Sequence, residues 1–272
     1  MQPLQHTLPT PYPVGPVHCY SAEINGELLL IDTGPPMEEG KKYLQQHFDL
    51  QRLQHVLITH CHIDHYGLAA WLEREYDCTI YLPYRDSLKI ANHSKRLDGL
   101  TAIRQEIGFS AAFAEAFRCE MDSDLVFPEF PQQFKIAEQE LPPELGIEIL
   151  ACPGHSQSDL VYVGSNWAAT GDTMLREIFQ SPMLDIDLKT GKRFHNYAAY
   201  CDTILKLATL RDKQILPGHN GYIIGVDFNI SYYTDKLLKR AKQSRKFSAE
   251  LNAPEVVEKL FGDSIQEPFQ NI

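Results

Sequence analysis

The sequence predicts a mixed α/β (α+β) fold. Three observations carry that prediction. A strand–helix–strand unit occupies residues 54 to 83, strand-type segments return after a long helical stretch, and metal-type polar residues stand just past strand ends. Alternation of strand and helix gives parallel pairing, because a parallel connection needs a crossover of a dozen or more residues.

The elements follow in order. VHCYSAEI (17–24) alternates apolar and polar side chains, ELLLI (27–31) is a second strand, and ING between them is the turn. DTGPP (32–36) stops that strand, and MEEGKKYLQQHF (37–48) has helical composition despite Gly40. QHVLIT (54–59) is a buried-type strand. YGLAAWLEREY (66–76) then sets Leu68, Trp71 and Leu72 at helical spacing, and TIYLP (79–83) closes the unit. Residues 84–133 are strand-poor and helical in composition, a helical insertion that FPEFPQQF terminates. Strands resume at GIEIL (146–150), LVYVG (160–164) and WAAT (167–170). NYAAYCDTILKLATL (196–210) is a helix and KQILPGH (213–219) the last strand. Beyond it only helices are expected, which divides the chain into a domain over 1–228 and a C-terminal helical extension over 229–272. No repeat of fixed period is visible, which excludes a solenoid.

Composition narrows the function. The 272 residues are 43% hydrophobic and 22% charged, ordinary globular material with enough apolar side chains for a large core. Net charge is −11, which disfavours nucleic acid as a partner, since that surface needs a basic face. No apolar run approaches the roughly 18 residues of a membrane span. The opening MQPLQHTLPTPYPVGP has neither the basic nor the apolar region of a secretory signal, so the cytoplasm is the expected compartment. Six cysteines form no C-x-x-C pair and read as thiols in a reducing compartment.

The informative stretch is LITHCHIDHYG (57–67), which places three histidines and an aspartate within six positions at a strand end. His60 and His62, two apart in extended chain, face one side, whereas Cys61 between them faces the other. Asp64 and His65 open the next helix. Three more strand ends carry ligand-type residues, in PGHS (153–156), TGDT (170–173) and LPGHN (216–220). Ligands of open α/β sheets gather beyond the carboxyl ends of strands. His60, His62, Asp64, His65, His155, Asp172 and His219 are more ligands than one catalytic zinc uses, since such a site takes three and keeps a position open. They suit two ions, with Asp172, the carboxylate from a separate strand end, as the bridge. Two such ions, about 3.5–4 Å apart, share a hydroxide and clamp the attacked and leaving oxygens.

On these motifs the chain resembles the metallo-β-lactamase-fold metallohydrolases. It carries H-x-H-x-D-H at 60–65, P-G-H at 153–155, G-D at 171–172 and P-G-H at 217–219, in that order. The resemblance covers about residues 15 to 225 and is nearest the glyoxalase II and β-lactamase-like-protein-2 branch. It implies a four-layer αββα sandwich with the site along one edge. It also implies one ion on His60, His62 and His155, a second on Asp64, His65 and His219, and Asp172 between them. Asp32 of LLLIDTG is implied to hydrogen-bond a ligand histidine rather than touch metal, and Asp64 to shuttle a proton to the leaving group. Zinc is the first expectation for the two divalent ions, with iron or manganese as alternatives for all-N/O donors.

The expected activity is hydrolysis of a thioester, lactone or other ester of a small acyl substrate. Alternatives within and beyond the resemblance are a phosphodiesterase or ribonuclease, a mononuclear iron oxygenase of persulfide type, and a ligand-binding or signalling protein of low turnover. Phe109, Phe113 and Phe117 form an aromatic helical stripe in the insertion, which either packs on the body or lids an apolar acyl pocket. Lys236, Lys239, Arg240, Lys242, Arg245 and Lys246 make one basic run, a solvated helix face or an attraction for an anionic substrate. The C-terminal helices are also candidates for a homodimer contact.

Overall fold

Side-chain alternation sorts the strands into two facing sheets. The structure is a computed structural model describing residues 2–123, 126–180, 182–223, 225–247 and 250–262. Residues 124–125 of the expected insertion, and 248–249 and 263–272 of the expected extension, lie outside the described residues. In chain order the elements are β1 (Leu4–Leu8), β2 (Val17–Ile24), β3 (Glu27–Ile31), α1 (Glu38–His47), β4 (Leu53–Leu57), α2 (Ile63–Tyr66), α3 (Ala69–Glu75) and β5 (Thr79–Leu82). The insertion supplies α4 (Tyr84–Ala91), α5 (His93–Glu106) and α6 (Ala111–Met121), before β6 (Lys135–Ile136) and α7 (Ala137–Glu140). Then come β7 (Glu148–Ala151), β8 (Leu160–Val163), β9 (Trp167–Gly171), the hairpin β10 (Ile186–Asp187) and β11 (Lys192–Arg193), and α8 (Asn196–Leu207). β12 (Gln214–Pro217), α9 (Val226–Ser244) and α10 (Ala253–Phe261) complete the series.

One sheet has the order β1-β2-β3-β4-β5-β6 and the other β12-β9-β8-β7. Between them lies a core of Tyr20, Leu29, Ile31, Leu57, Tyr162 and Trp167, among others. The alternate residues of the same strands point outward. Cys19, Leu30 and Val56 pack with Leu44 of α1 and Leu72 of α3. Val161, Ala168 and Ile215 pack with Leu207 of α8 and Tyr233 of α9. Helix, sheet, sheet and helix therefore stack as four layers, each sheet burying both faces. The β2–β3 turn is set by Asn25 and Gly26, both at positive φ (55° and 87°), the backbone of a two-residue hairpin loop.

α9 begins at Val226, ahead of the expected extension, and its Tyr233 is fully buried in the outer core. Its first turns therefore belong to the body rather than to an appendage.

Strand direction positions the site. β3 and β4 run parallel, as do β12 and β9, and two antiparallel steps through β8 return β7 to the direction of β9. The carboxyl ends of all five reach one edge. Cross-sheet bonds close that edge: Tyr162 donates its hydroxyl to the Ile58 carbonyl at 2.9 Å, and Tyr20 donates to that of Pro217 at 2.7 Å.

Candidate metal centre

At that edge four of the five loops bring the seven ligand-type residues together, the fifth carrying Asp32, and all but half-buried His62 are buried. His62 Nδ1 lies 2.9 Å from His60 Nε2 and 3.1 Å from His155 Nε2, so three ring nitrogens converge on one point. Asp64 and His65, in the first turn of α2, meet His219 beside it, with Asp64 Oδ2 at 3.2 Å from His219 Nε2. Asp172 lies between the sets. Its Oδ1 is 3.4 Å from His65 Nε2 and 3.6 Å from His219 Nε2, and its Oδ2 is 3.8 Å from His155 Nε2. Within each of the groups His60–His62–His155, His60–His65–Asp172 and Asp64–His65–His219, the ligand atoms lie within 4.8 Å of one another.

The far sides of the rings are held as tightly. His65 Nδ1 donates to Asp32 Oδ2 at 2.9 Å. The Thr59 hydroxyl donates to the same Asp32 oxygen at 2.8 Å and so accepts from His60 Nδ1 at 3.1 Å. Asp32 thus fixes the tautomer of two rings, one directly and one through Thr59. His219 Nδ1 donates to the Pro16 carbonyl at 2.8 Å. In each of these rings Nε2 is left facing the centre, the usual outer arrangement of a metal-binding histidine. Asp32 holds φ at +57°, a left-handed backbone that ordinary residues avoid and that aims its carboxylate at these donors.

Electrostatics divide the two sets. Burial first, then repulsion from neighbouring rings, holds His60 well below the ordinary imidazole range and lowers His62 to about 3. Both stay neutral, as a ligand must. Burial would lower His65 too, but Asp64, Asp172 and Asp32 outweigh it and raise that ring well above its usual value. Burial would raise the Asp64 and Asp172 carboxyls, yet His65 above all holds both below the ordinary range, with His219 assisting. This half of the site concentrates negative charge in a buried space that calls for a cation.

The donors fit divalent ions by a second criterion. His65 Nε2, His219 Nε2 and Asp172 Oδ1 are buried without a hydrogen-bond partner among the described residues. Native proteins seldom leave such atoms orphaned, and metal ligation would account for all three. Close approach at this point depends on Gly218, where a Cβ would stand 2.7 Å from both Asp172 Oδ1 and His65 Cε1.

Several contributors carried no sequence signal. Gln180 Nε2 donates to Asp172 Oδ2 at 2.8 Å, and Asp86 of α4 accepts the Cys61 N–H at 2.8 Å. Cys61 itself packs against the outer core, away from the ligand atoms. Phe109 and Phe113 stack at 4.6 Å and line a cleft of about 370 Å³ with Pro254 and Val257 of α10, while Phe117 lies 3.4 Å beneath the Arg104 guanidinium. No ligand residue lines that cleft. The basic run on α9 is partly engaged, with Lys239 paired to Asp235 at 2.7 Å and Arg240 set 4.9 Å over Phe179. No helix among the described residues is long and apolar enough to cross a membrane.

Comparison with known proteins agrees with this architecture. The chain is 26% identical over 274 residues to the "Probable metallo-hydrolase YqjP" of Bacillus subtilis (strain 168), covering 93% of this chain and 83% of that protein. It is 26% identical over 220 residues to the hydroxyacylglutathione hydrolase of Thiobacillus denitrificans (strain ATCC 25259 / T1), covering 79% and 66%. A metallo-beta-lactamase family protein from Thermus thermophilus superposes with a TM-score of 0.76 at 20% identity, over 95% of this chain and 87% of that one. The family model of the metallo-beta-lactamase superfamily matches residues 12–219, the span from the loop before β2 to the last histidine of the site. This chain belongs to the metallo-beta-lactamase superfamily.

Proposed function

We propose that this chain is a binuclear metal-dependent hydrolase acting on a thioester, lactone or other ester of a small acyl substrate. The observation that carries the reading is the meeting of two donor sets at Asp172, which offers a carboxylate oxygen toward each. His60, His62 and His155 would hold one ion, Asp64, His65 and His219 the other, and Asp172 both. Zinc fits these N and O donors, as do iron and manganese. When bound, such ions supply Lewis acidity and a water-derived nucleophile at neutral pH.

The chain's own residues do the rest. His62, alone among the ligand residues in being only half-buried, marks the open side from which the substrate enters. Asp64 is kept ionised by His65 and His219. Its Oδ2 faces His219 at 3.2 Å, whereas Oδ1 is 3.9 Å from His65 and less engaged. Asp64 Oδ1 therefore takes up the proton that the attacking water gives up and delivers it to the leaving oxygen or sulfur. Gln180 and Asp32 keep the acceptors and rings in place while that transfer occurs.

The ester and thioester preference is supported by the relative whose name states hydrolysis of an acylglutathione. A net charge of −11 argues against a polyanionic substrate. The test is elemental analysis of anaerobically purified protein, followed by a panel of p-nitrophenyl esters, thioesters and lactones with and without chelator. Two ions per chain and turnover abolished by chelator, restored by metal, are expected. A protein with one iron that consumes oxygen and cleaves none of the panel would overturn the reading.

A further inference from the structure

Beneath the site lies a buried polar cluster that the chemistry above does not use. Asp86 and Lys89, both buried on α4, form an ion pair at 2.8 Å. Asp86 Oδ2 accepts the N–H of Cys61, the residue between His60 and His62. Asp86 Oδ1 accepts the Ser158 hydroxyl at 2.8 Å, and Lys89 Nζ donates to Ser158 at 3.1 Å and to Ser156 at 3.4 Å. Ser156 directly follows His155. The cluster continues through Asp185, which accepts from Arg96 of α5 and from Gln157 at 2.8 Å each.

These contacts share one selectivity. They grip the backbone of the 60–62 loop and the residues after His155, the two loops that carry the three-histidine set. None of the hydrogen bonds of Asp86 or Lys89 reaches Asp64, His65 or His219. Of those three, His65 is braced instead by Asp32 and Thr33, and His219 by the Pro16 carbonyl. A buried ion pair is weak evidence for net stability, but breaking one partner leaves an uncompensated charge and displaces what it holds.

We infer that Asp86 and Lys89 are positioning residues for the three-histidine set alone, so that the insertion controls the affinity of one ion independently of the other. The inference rests on the binuclear reading. It follows that Asp86→Asn loses one ion while keeping the second, whereas Asp32→Asn, whose carboxylate serves His60 and His65 together, weakens both.

The experiment titrates chelator into the cobalt-loaded wild type and these variants, following cobalt stoichiometry and visible absorption. His155→Ala and His219→Ala supply the reference spectra for loss of each set. Asp86→Asn is expected to weaken one ion by about 10–100-fold, the range for outer-shell partners, and to leave a residual spectrum matching His155→Ala. Ser158→Ala, which removes one donor without burying a charge, should do the same to a smaller extent and guards against an Asp86 variant that does not fold. Retention of both ions at wild-type affinity in the folded variant, or parallel loss of both, overturns the inference. A wild type that binds a single cobalt ion overturns instead the binuclear reading beneath it.

Discussion

At the scale of single residues, the site depends on side chains that never touch substrate. Asp32 accepts three hydrogen bonds, from the Thr59 N–H, the Thr59 hydroxyl and His65 Nδ1. Asparagine tolerates the same left-handed backbone but must turn its amide N–H₂ toward one of those donors. Asp32→Asn is therefore expected to keep its circular-dichroism spectrum while losing about 10–100-fold in metal affinity. Unchanged metal content after dialysis against chelator would count against that role. His6 gives a different prediction. Burial, aided by repulsion from His47, lowers its pKa from 6.5 to about 4, and its ring contacts the Ser21 hydroxyl at 2.9 Å. Well above pH 6.5 the ring is neutral whether the chain is folded or not. Between 6.5 and about 4 the unfolded chain takes up a proton that the folded chain refuses, so stability falls as pH falls. Urea midpoints at about pH 7 and about pH 5 should drop more for the wild type than for His6→Gln; equal drops would exclude the effect.

At the scale of elements, α9 is the informative case. Its helical composition is plain in the sequence, but the residue at which it joins the body is not. The Tyr233 hydroxyl accepts the Leu175 N–H at 2.7 Å and donates to the Leu175 carbonyl at 2.9 Å, tying the helix to the loop after Asp172. Tyr233→Phe keeps the packing and orphans the Leu175 N–H, at a cost of about 1–3 kcal/mol, while the Leu175 carbonyl still accepts from Asn229 Nδ2 at 3.1 Å. A lowered urea midpoint with an unchanged slope is the expected result, and a midpoint equal to wild type would show the contact to be neutral. The strands were more legible. β2 and β3 match their expected residues because alternation and an Asn-Gly turn are local signals. β1 escaped notice: its Leu4 is 64% exposed, so the apolar alternation is weak and the pairing with β2 is made by the backbone. The β10–β11 hairpin, two residues a side, has too little pattern to read.

At the scale of the whole molecule, metal binding at this site would be linked to folding. The donors come from loops far apart in sequence and meet only when both sheets have closed, so the unfolded chain offers no comparable site. Free metal at about 100 times its dissociation constant stabilises the native state by about 2.7 kcal/mol per independent site. Stripping the ions should lower the melting temperature by several degrees or more, with recovery on adding zinc. A melting curve indifferent to chelator, in protein shown to have lost its metal, would mean that the ions bind the folded chain no better than the unfolded one, against this linkage. The four layers bear on this as well, because three separate cores flank and fill the sheets while the ligand loops lie at one open edge.

The sequence by itself determined the α/β class, most of the long strands and the seven residues that meet at the edge. Those signals are local: period-two alternation, turn chemistry, and histidines and aspartates crowded just past strand ends. Apart from Asp32, only the tertiary structure decided what stands behind the ligand-type residues. Thr59 relaying Asp32 to His60, the Pro16 carbonyl under His219, Gln180 on Asp172 and the Asp86–Lys89 pair under Cys61 are all ordinary residues at unremarked positions. Three of these contacts join partners from 8 to 203 positions apart, and the Thr59–His60 contact acts only because Asp32 is brought from another strand. A hydrogen bond depends on where two groups lie in space, and chain closure alone brings such pairs together.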